Sequence, residues 1–328
     1  MMSRSACSWI AGLMVFMGLA LNTHASPTVS LVFAGDTVLD DTAGELIAQG
    51  GDPFAPLATY LKNADIRIAN LECVVSTLGQ AGDKVYTFKA HPRVLPVVKK
   101  HFDAVALANN HSGDFGPAAF ADMLQLIAQA GLQQVGGGMN LKQAHTPLVF
   151  QRQGLRIAVL SYNEFHPRSF EAGHDTPGVA WSEDQQVVAD IRAARQQHQA
   201  DLVIPIMHWG WENERQANPR QRFLAQRMVD AGADAVIGGH PHVTQDVAIY
   251  KGKPIVFSVG NFVMKETDNA FQRQGWLLKL HLDKRGVTGF ETLPVSLNMD
   301  GLPTVAAETI SPCWTRGDKN TRVCNPHK

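Results

Sequence analysis

Short runs with apolar residues on both faces alternate, through much of the chain, with segments whose apolar residues recur at helical spacing. Residues 28–34, 66–70, 104–108, 202–207 and 235–237 are runs of the first kind, rich in Val, Ile and Ala. Apolar on both faces, they predict parallel strands covered by helices. Between them, 54–62, 94–102, 117–130, 183–198 and 219–231 carry helical spacing. Pro117 and Pro219 sit where a first helical turn tolerates proline, and Gly131 and Gly232 follow as stops. The pattern then shifts toward β. Residues 148–150 and 155–161 read as a hairpin around Gln153-Gly154, and 244–250, 255–258, 276–283 and 288–296 as further strands with tight turns. The expectation is an α/β fold, one domain with two sheets over residues 26–300, followed by a tail at 301–328.

The N-terminus stands apart. Arg4 precedes an apolar stretch from Ile10 to Leu21, and Thr23-His24-Ala25 offers small residues for cleavage. Residues 1–25 therefore read as a signal peptide, with an uncleaved anchor as the alternative. Export implies a periplasmic or secreted protein in an oxidising compartment. There, Cys313 and Cys324, which bracket a polar stretch, are expected to form a disulfide pinning the tail, while Cys73, beside Val74-Val75, is expected to be a buried thiol.

Composition narrows the function classes. Lys and Arg total 29 against 30 Asp and Glu, which gives neither the basic footprint of a nucleic-acid binder nor a polybasic membrane patch. No CxxC occurs, so zinc-finger and thioredoxin chemistry find no support.

The candidate chemistry is positional. Each apolar run leads into polar residues: Gly35-Asp36, Asn70-Leu71-Glu72, Asn109-Asn110-His111, His208-Trp209-Gly210, and Gly238-Gly239-His240-Pro241-His242. Carboxyl ends of parallel strands line one crevice, so these tips should converge. Pro241 pushes His240 toward an extended backbone, in which His240 and His242 face one ion together. Carboxylate, amide oxygen and imidazole without thiolate suit Zn, Mn or Fe, and a cation so held activates water as a nucleophile. His111 is placed to act as general acid. Asn261 and Trp209 are candidates for contacting substrate, although a capped turn after a strand explains Asn261 at least as well and aromatics near a strand end are also common core. Arg215, with Arg220 and Arg222, is a candidate for attracting an anion, although a solvated helix face explains the three arginines equally well. His145, His174 and His198 lie among polar neighbours and read as solvated.

Six stretches in order, Ala34-Gly35-Asp36, Ala69-Asn70-Leu71-Glu72, Ala108-Asn109-Asn110-His111-Ser112, His208-Trp209-Gly210, Gly239-His240-Pro241-His242 and Ser258-Val259-Gly260-Asn261-Phe262, resemble the capsule-synthesis CapA (poly-γ-glutamate capsule) family of the calcineurin-like metallophosphatase superfamily. The resemblance implies a four-layer α/β/β/α sandwich. It implies Asp36, Glu72, Asn110, His208, His240 and His242 as ligands of one or two divalent cations, and His111 as catalytic acid. Val38 stands where the wider superfamily's first motif has a histidine, and Glu72 where it has a bridging aspartate. This implies a single cation or an asymmetric pair. The implied function is a metal-dependent hydrolase acting on poly-γ-glutamate, another envelope polymer or a small anionic phosphoester, with capsule-biosynthesis proteins as partners. Two alternatives stand beside it: a non-catalytic polyglutamate-binding or transport factor with a structural metal, and an epimerase using the cation as a Lewis acid.

Overall fold

The computed structural model describes residues 28–166, 168–307 and 311–325. The expected signal peptide lies outside these residues. The apolar runs do form parallel strands, in two sheets. Val29–Thr37, Ile66–Leu71, Ala104–Ala106 and Gln133–Val135 are parallel neighbours in the first. On the other side of Val29–Thr37 the sheet continues antiparallel through Gln274–Asp283, Gly286–Leu297, Ser311–Thr315 and Arg322–Cys324, and with two flanking strands it is 10-stranded. In the second, 6-stranded sheet, Leu155–Asn163, Leu202–His208, Val236–Gly239 and Lys253–Val256 run parallel.

The sheets stack face to face. Leu31, Phe33, Ile68, Ile157, Ile204, Ile237, Leu280 and Trp314 are among the buried side chains that fill the space between them, each contributing about 1.5–3 kcal/mol by its removal from water. A second apolar layer joins the outer face of the first sheet to the helices Asp41–Ala48, Ala58–Lys62, Leu95–His101 and Gly116–Gln129. A third joins the second sheet to Asp184–Gln196 and Pro219–Ala231. The result is the four-layer α/β/β/α sandwich. Among the described residues no helix is long and apolar enough to cross a membrane.

Local chemistry explains the helix ends. Pro219–Ala231 opens with Asn218 and Gln221 in a reciprocal capping box and stops at Gly232, whose φ of 119° is open to glycine at little cost. The segment after residue 300, expected as a tail, adds Pro303–Val305, Ser311–Thr315 and Arg322–Cys324 to the first sheet. Trp314 from that segment is 2% exposed in the inter-sheet core, so the packed unit runs past 300.

Cys313 and Cys324 are joined by a disulfide, and Cys73 is a free, buried thiol. Burial pushes the Cys73 thiol up to about 12, which leaves it inert. In protein beginning at residue 26, unfolding without reductant should expose Cys73 alone to a thiol reagent, and reduction should cost about 2–3 kcal/mol of stability. Three labelled cysteines before reduction would contradict this.

Candidate metal centre

Asp36, the penultimate residue of the strand Val29–Thr37, is fully buried. Gly35 before it has no side chain because Gly260 lies against it: a Cβ there would sit 2.0 Å from the Gly260 carbonyl oxygen. That approach lets Asn261–Val263 pair beside the first strand, with Asn261 in register with Asp36. Gly239 leaves room in the same way, since a Cβ would lie 2.8 Å from Asp36 Oδ1.

The next strand ends at Leu71 and delivers Asn70 and Glu72, the latter tied down by its N–H donating to Thr37 O at 3.0 Å. Asn70 Nδ2 donates to Asp36 Oδ1 at 2.7 Å and lies 3.3 Å from His208 Nδ1. Asn109 Nδ2 in turn donates to Asn70 Oδ1 at 3.0 Å, and its own Oδ1 accepts from His111 N at 3.1 Å. A line of buried amides thus sets the orientation of Asp36, His208 and the 109–111 turn. Asn70 and Asn109 are visible in the sequence as strand-end residues; their orienting role depends on partners 34 to 39 residues away.

His208 ends the strand Leu202–His208 in the second sheet. Its Nε2 is 2.7 Å from Asn110 Oδ1, 3.1 Å from His240 Nδ1 and 3.2 Å from Glu72 Oε1. His242 Nδ1 is 3.4 Å from Asp36 Oδ2 and 2.9 Å from Asn261 Oδ1. Ligand atoms therefore gather into two groups, Asp36–Glu72–His242 and Glu72–His208–His240, each within 4.8 Å, with Glu72 common to both.

His240 and His242 depart from expectation. Their φ angles are 93° and 56°, not extended, and they belong to different groups. Pro241 does bar His240 from the right-handed helical region, but the His240 N–H donates to Asp36 Oδ2 at 3.1 Å and holds the backbone on the far side of the map. Such a conformation costs a non-glycine residue about 1–3 kcal/mol.

The donor set fits a cation. Both oxygens of Glu72 and Nε2 of His240 are buried without a hydrogen-bond partner, a costly arrangement for a carboxylate unless something positive binds it. Protonation shows the same demand. Burial disfavours the charged form of His242, but the charge of Glu72 and the hydrogen bond and charge of Asp36 overcome it and push it up to about 10. Burial raises Asp36, and His242 and His208 outweigh it, so its carboxyl sits below the ordinary value. His240 is driven well below its usual value by burial and then by the neighbouring histidines. In the cation-free protein a proton on His242 occupies part of the role of a metal. Cation uptake must displace it, so binding should tighten as pH rises toward 10 and release protons into weakly buffered solution. Calorimetry in buffers of different ionisation enthalpy checks this; no proton release at neutral pH contradicts it.

His111 is 6% exposed and faces a cleft it shares with His242 and Asn261. Its Nδ1 lies 2.7 Å from Asp114 Oδ2, and the other oxygen of Asp114 pairs with Lys84. Phe88 packs against the imidazole with centroids 4.2 Å apart. Sequence reasoning missed Asp114 and Lys84. The spacing of three between His111 and Asp114 was a signal available for the first; Lys84 comes from a loop 30 residues away.

Of the other expected contacts, Asn261 is at the site. Trp209 is not in the cleft: it is fully buried in the helix-side core, and Nε1 donates to Phe257 O at 2.9 Å. It follows the last residue of a strand, and the alternation of sides carries it away from His208. Arg215 stacks over Phe271, with the guanidinium 4.4 Å from the ring centroid. Arg220 is committed to Glu164 and Asp184, and Arg222 to Asp246, so these two serve the fold. Val38, in place of a first-motif histidine, is buried in the helix-side core of the first sheet.

The four-layer sandwich is metallophosphatase-like in fold, and its strand ends bring two carboxylates and three imidazoles together. Residues 30–266 match the model of the bacterial capsule synthesis protein PGA_cap family, and the chain belongs to that family. It is 30% identical over 291 residues to the PGA biosynthesis protein CapA of Bacillus subtilis, covering 85% of this chain and 74% of that one. It is 33% identical over 224 residues to a probable polyglutamine synthesis accessory protein of Mycobacterium tuberculosis, covering 64% of this chain and 59% of that one. Solved structures share the fold. A hypothetical protein from Thermus thermophilus superposes with a TM-score of 0.52 at 13% identity, over 81% of this chain and 98% of its own. The NAD nucleotidase of Haemophilus influenzae gives 0.51 at 12% identity, over 87% of this chain and 61% of its own.

Proposed function

We propose that this protein is a metal-dependent hydrolase of the cell envelope, acting outside the cytoplasm, periplasmic or secreted, on poly-γ-glutamate or a related polymer. The carrying observation is Glu72, a buried carboxylate with no hydrogen-bond partner, flanked by His208 and His242 and shared between two ligand groups. Asp36, Glu72, Asn110, His208, His240 and His242 would hold one or two divalent cations, of which Zn, Mn or Fe suits mixed oxygen and imidazole donors. When bound, such a cation polarises an electrophilic group and activates water.

The chain's own residues do the rest. Asn70 and Asn109 fix the angles of Asp36, His208 and the 109–111 turn. Asp114 holds His111 by Nδ1, leaving Nε2 as the nitrogen that carries a proton to the leaving atom. In hydrolysis the oxygen of water bonds to the electrophilic carbon or phosphorus, the bond to the leaving nitrogen or oxygen breaks, and that atom takes the proton. The polymer assignment draws on the names of the relatives. The location outside the cytoplasm draws on the apolar N-terminal stretch and the Cys313–Cys324 disulfide.

Elemental analysis of purified protein, then turnover assays on phosphodiesters and γ-glutamyl amides with and without chelator, tests the reading. Stoichiometric divalent metal and chelator-sensitive turnover are expected. Metal-loaded protein inert toward both classes would instead favour a binding factor.

A further inference from the structure

Two cavities adjoin the candidate centre, one lined by His242 and the other by Asn110. One of about 390 Å³ is lined in part by Tyr86, His111, Glu212, His242, Asn261 and Gln272. The other, of about 260 Å³, is lined in part by Lys84, Asn110, Asp114, Asn163, Phe165 and His166. They share walls. The 109–114 segment gives His111 to the first and Asn109, Asn110 and Asp114 to the second, and the 84–88 segment gives Tyr86 and Phe88 to the first and Lys84 to the second. Lys84 fastens these walls together, donating to Asn110 O at 2.8 Å and pairing with Asp114.

Each ligand group adjoins its own cavity. His242, of the group with Asp36, lines the larger one. His240, of the group with His208, packs against Phe165 of the smaller one at 3.9 Å between centroids. Glu72 belongs to both groups. The rims carry exposed side chains, Tyr86 at 69% on one side and His166 on the other, with Trp211 at 63% set edge-on to Phe165.

We infer that the substrate is a linear chain lying across the centre with units in both cavities, so that the bond attacked is internal to the chain. This deepens the hydrolase reading and rests on its choice of cleft. A terminal group needs a single blind pocket, whereas here the candidate ligand His242 lines one cavity and the candidate ligand Asn110 lines another. The smaller cavity alone falls below the roughly 300–1,000 Å³ of an ordinary small-molecule site, so a ligand confined to it would bury little surface. The linings also suit a chain. The larger cavity carries the carboxylates Glu212 and Glu266, Lys84 and Lys265 are occupied by Asp114 and by Asp40 and Asp41, and the rest of the lining is mainly amide, imidazole and aromatic. Those groups read a repeating polar backbone by hydrogen bonds and stacking, unlike the open fork of cations that grips a terminal phosphate.

γ-Linked glutamate oligomers acetylated at the amine end and amidated at the carboxyl end test this on the metal-loaded protein. Water adds its oxygen to an internal carbonyl carbon, the C–N bond breaks, and the nitrogen takes the proton, so mass spectrometry should find paired internal fragments. Cleavage of unblocked oligomers only, with single terminal units released, overturns the inference. Calorimetry of the same oligomers from dimer upward supplies a second arm. Affinity should rise with length until both cavities are filled, and Tyr86→Ala and His166→Ala, both at exposed positions, should each weaken long oligomers about tenfold and flatten the rise. Equal affinity at every length, or none, also overturns it. Length-dependent binding without cleavage under any cation would sink the hydrolase reading and leave the two-sided occupancy standing.

Discussion

Glu72→Gln should abolish cation binding at both ligand groups while leaving the fold in place. The substitution keeps the shape of a fully buried side chain and removes its charge. Because Glu72 is the one residue common to Asp36–Glu72–His242 and Glu72–His208–His240, neither group keeps its full donor set. Loss of an outer partner of a metal ligand typically costs 10–100-fold in affinity, so loss of a ligand shared by two groups should cost more than about 100-fold. Asn261→Ala is the contrast: it removes the 2.9 Å contact to His242 Nδ1 and should weaken one group only, by about 10–100-fold. In cation-free protein, Asp36 remains beside His242 at 3.4 Å, so the melting temperature of Glu72→Gln should stay near the parent's, and what disappears is the rise on adding metal. Calorimetric titration with Zn and Mn measures both variants. Undiminished affinity in Glu72→Gln would show that the cation sits elsewhere.

The second large effect is kinetic. His111→Ala should leave metal content unchanged and lower turnover about 10²–10⁴-fold, the usual worth of a positioned general acid. His111 makes no contact that orients Asp36, His208 or His242; its contacts run to Asn109, Asp114 and Phe88. Asp114→Asn should act in the same direction by a smaller factor, because the imidazole stays but loses the carboxylate that fixes its tautomer. Substrates with a better leaving group need less help from an acid, so His111→Ala should lose least on an activated aryl ester. A uniform loss on activated and unactivated substrates would argue against proton donation, and an unchanged rate would remove His111 from the reaction.

The sequence pattern shows the layers because parallel strands buried on both faces leave an unmistakable apolar run, and their polar tips stand out against it. The elements it misses are those whose pattern is weak. Asp41–Ala48 buries only Ala43 and Ile47, and Asn261–Val263 is three residues long, held by the approach of Gly260 to Gly35. The tips that converge were legible as a set. The partition of His240 and His242 between two groups was not, since it depends on a backbone conformation imposed by Asp36, 204 residues away. His145 shows the same limit. Its polar neighbours suggest solvent, yet it is buried with Nδ1 2.7 Å from Asp190, a partner 45 residues on. Trp209 errs the other way, since adjacency to His208 in sequence puts it on the opposite side of the sheet.

The two histidines with positive φ have a consequence for anyone engineering this protein. Glycine at 240 or 242 would relax the corner, so a selection for heat resistance alone would tend to enrich variants there. Those survivors would be sturdier and chemically empty. Robustness and reactivity compete at this one bend, and a library meant to harden the scaffold should hold both positions fixed.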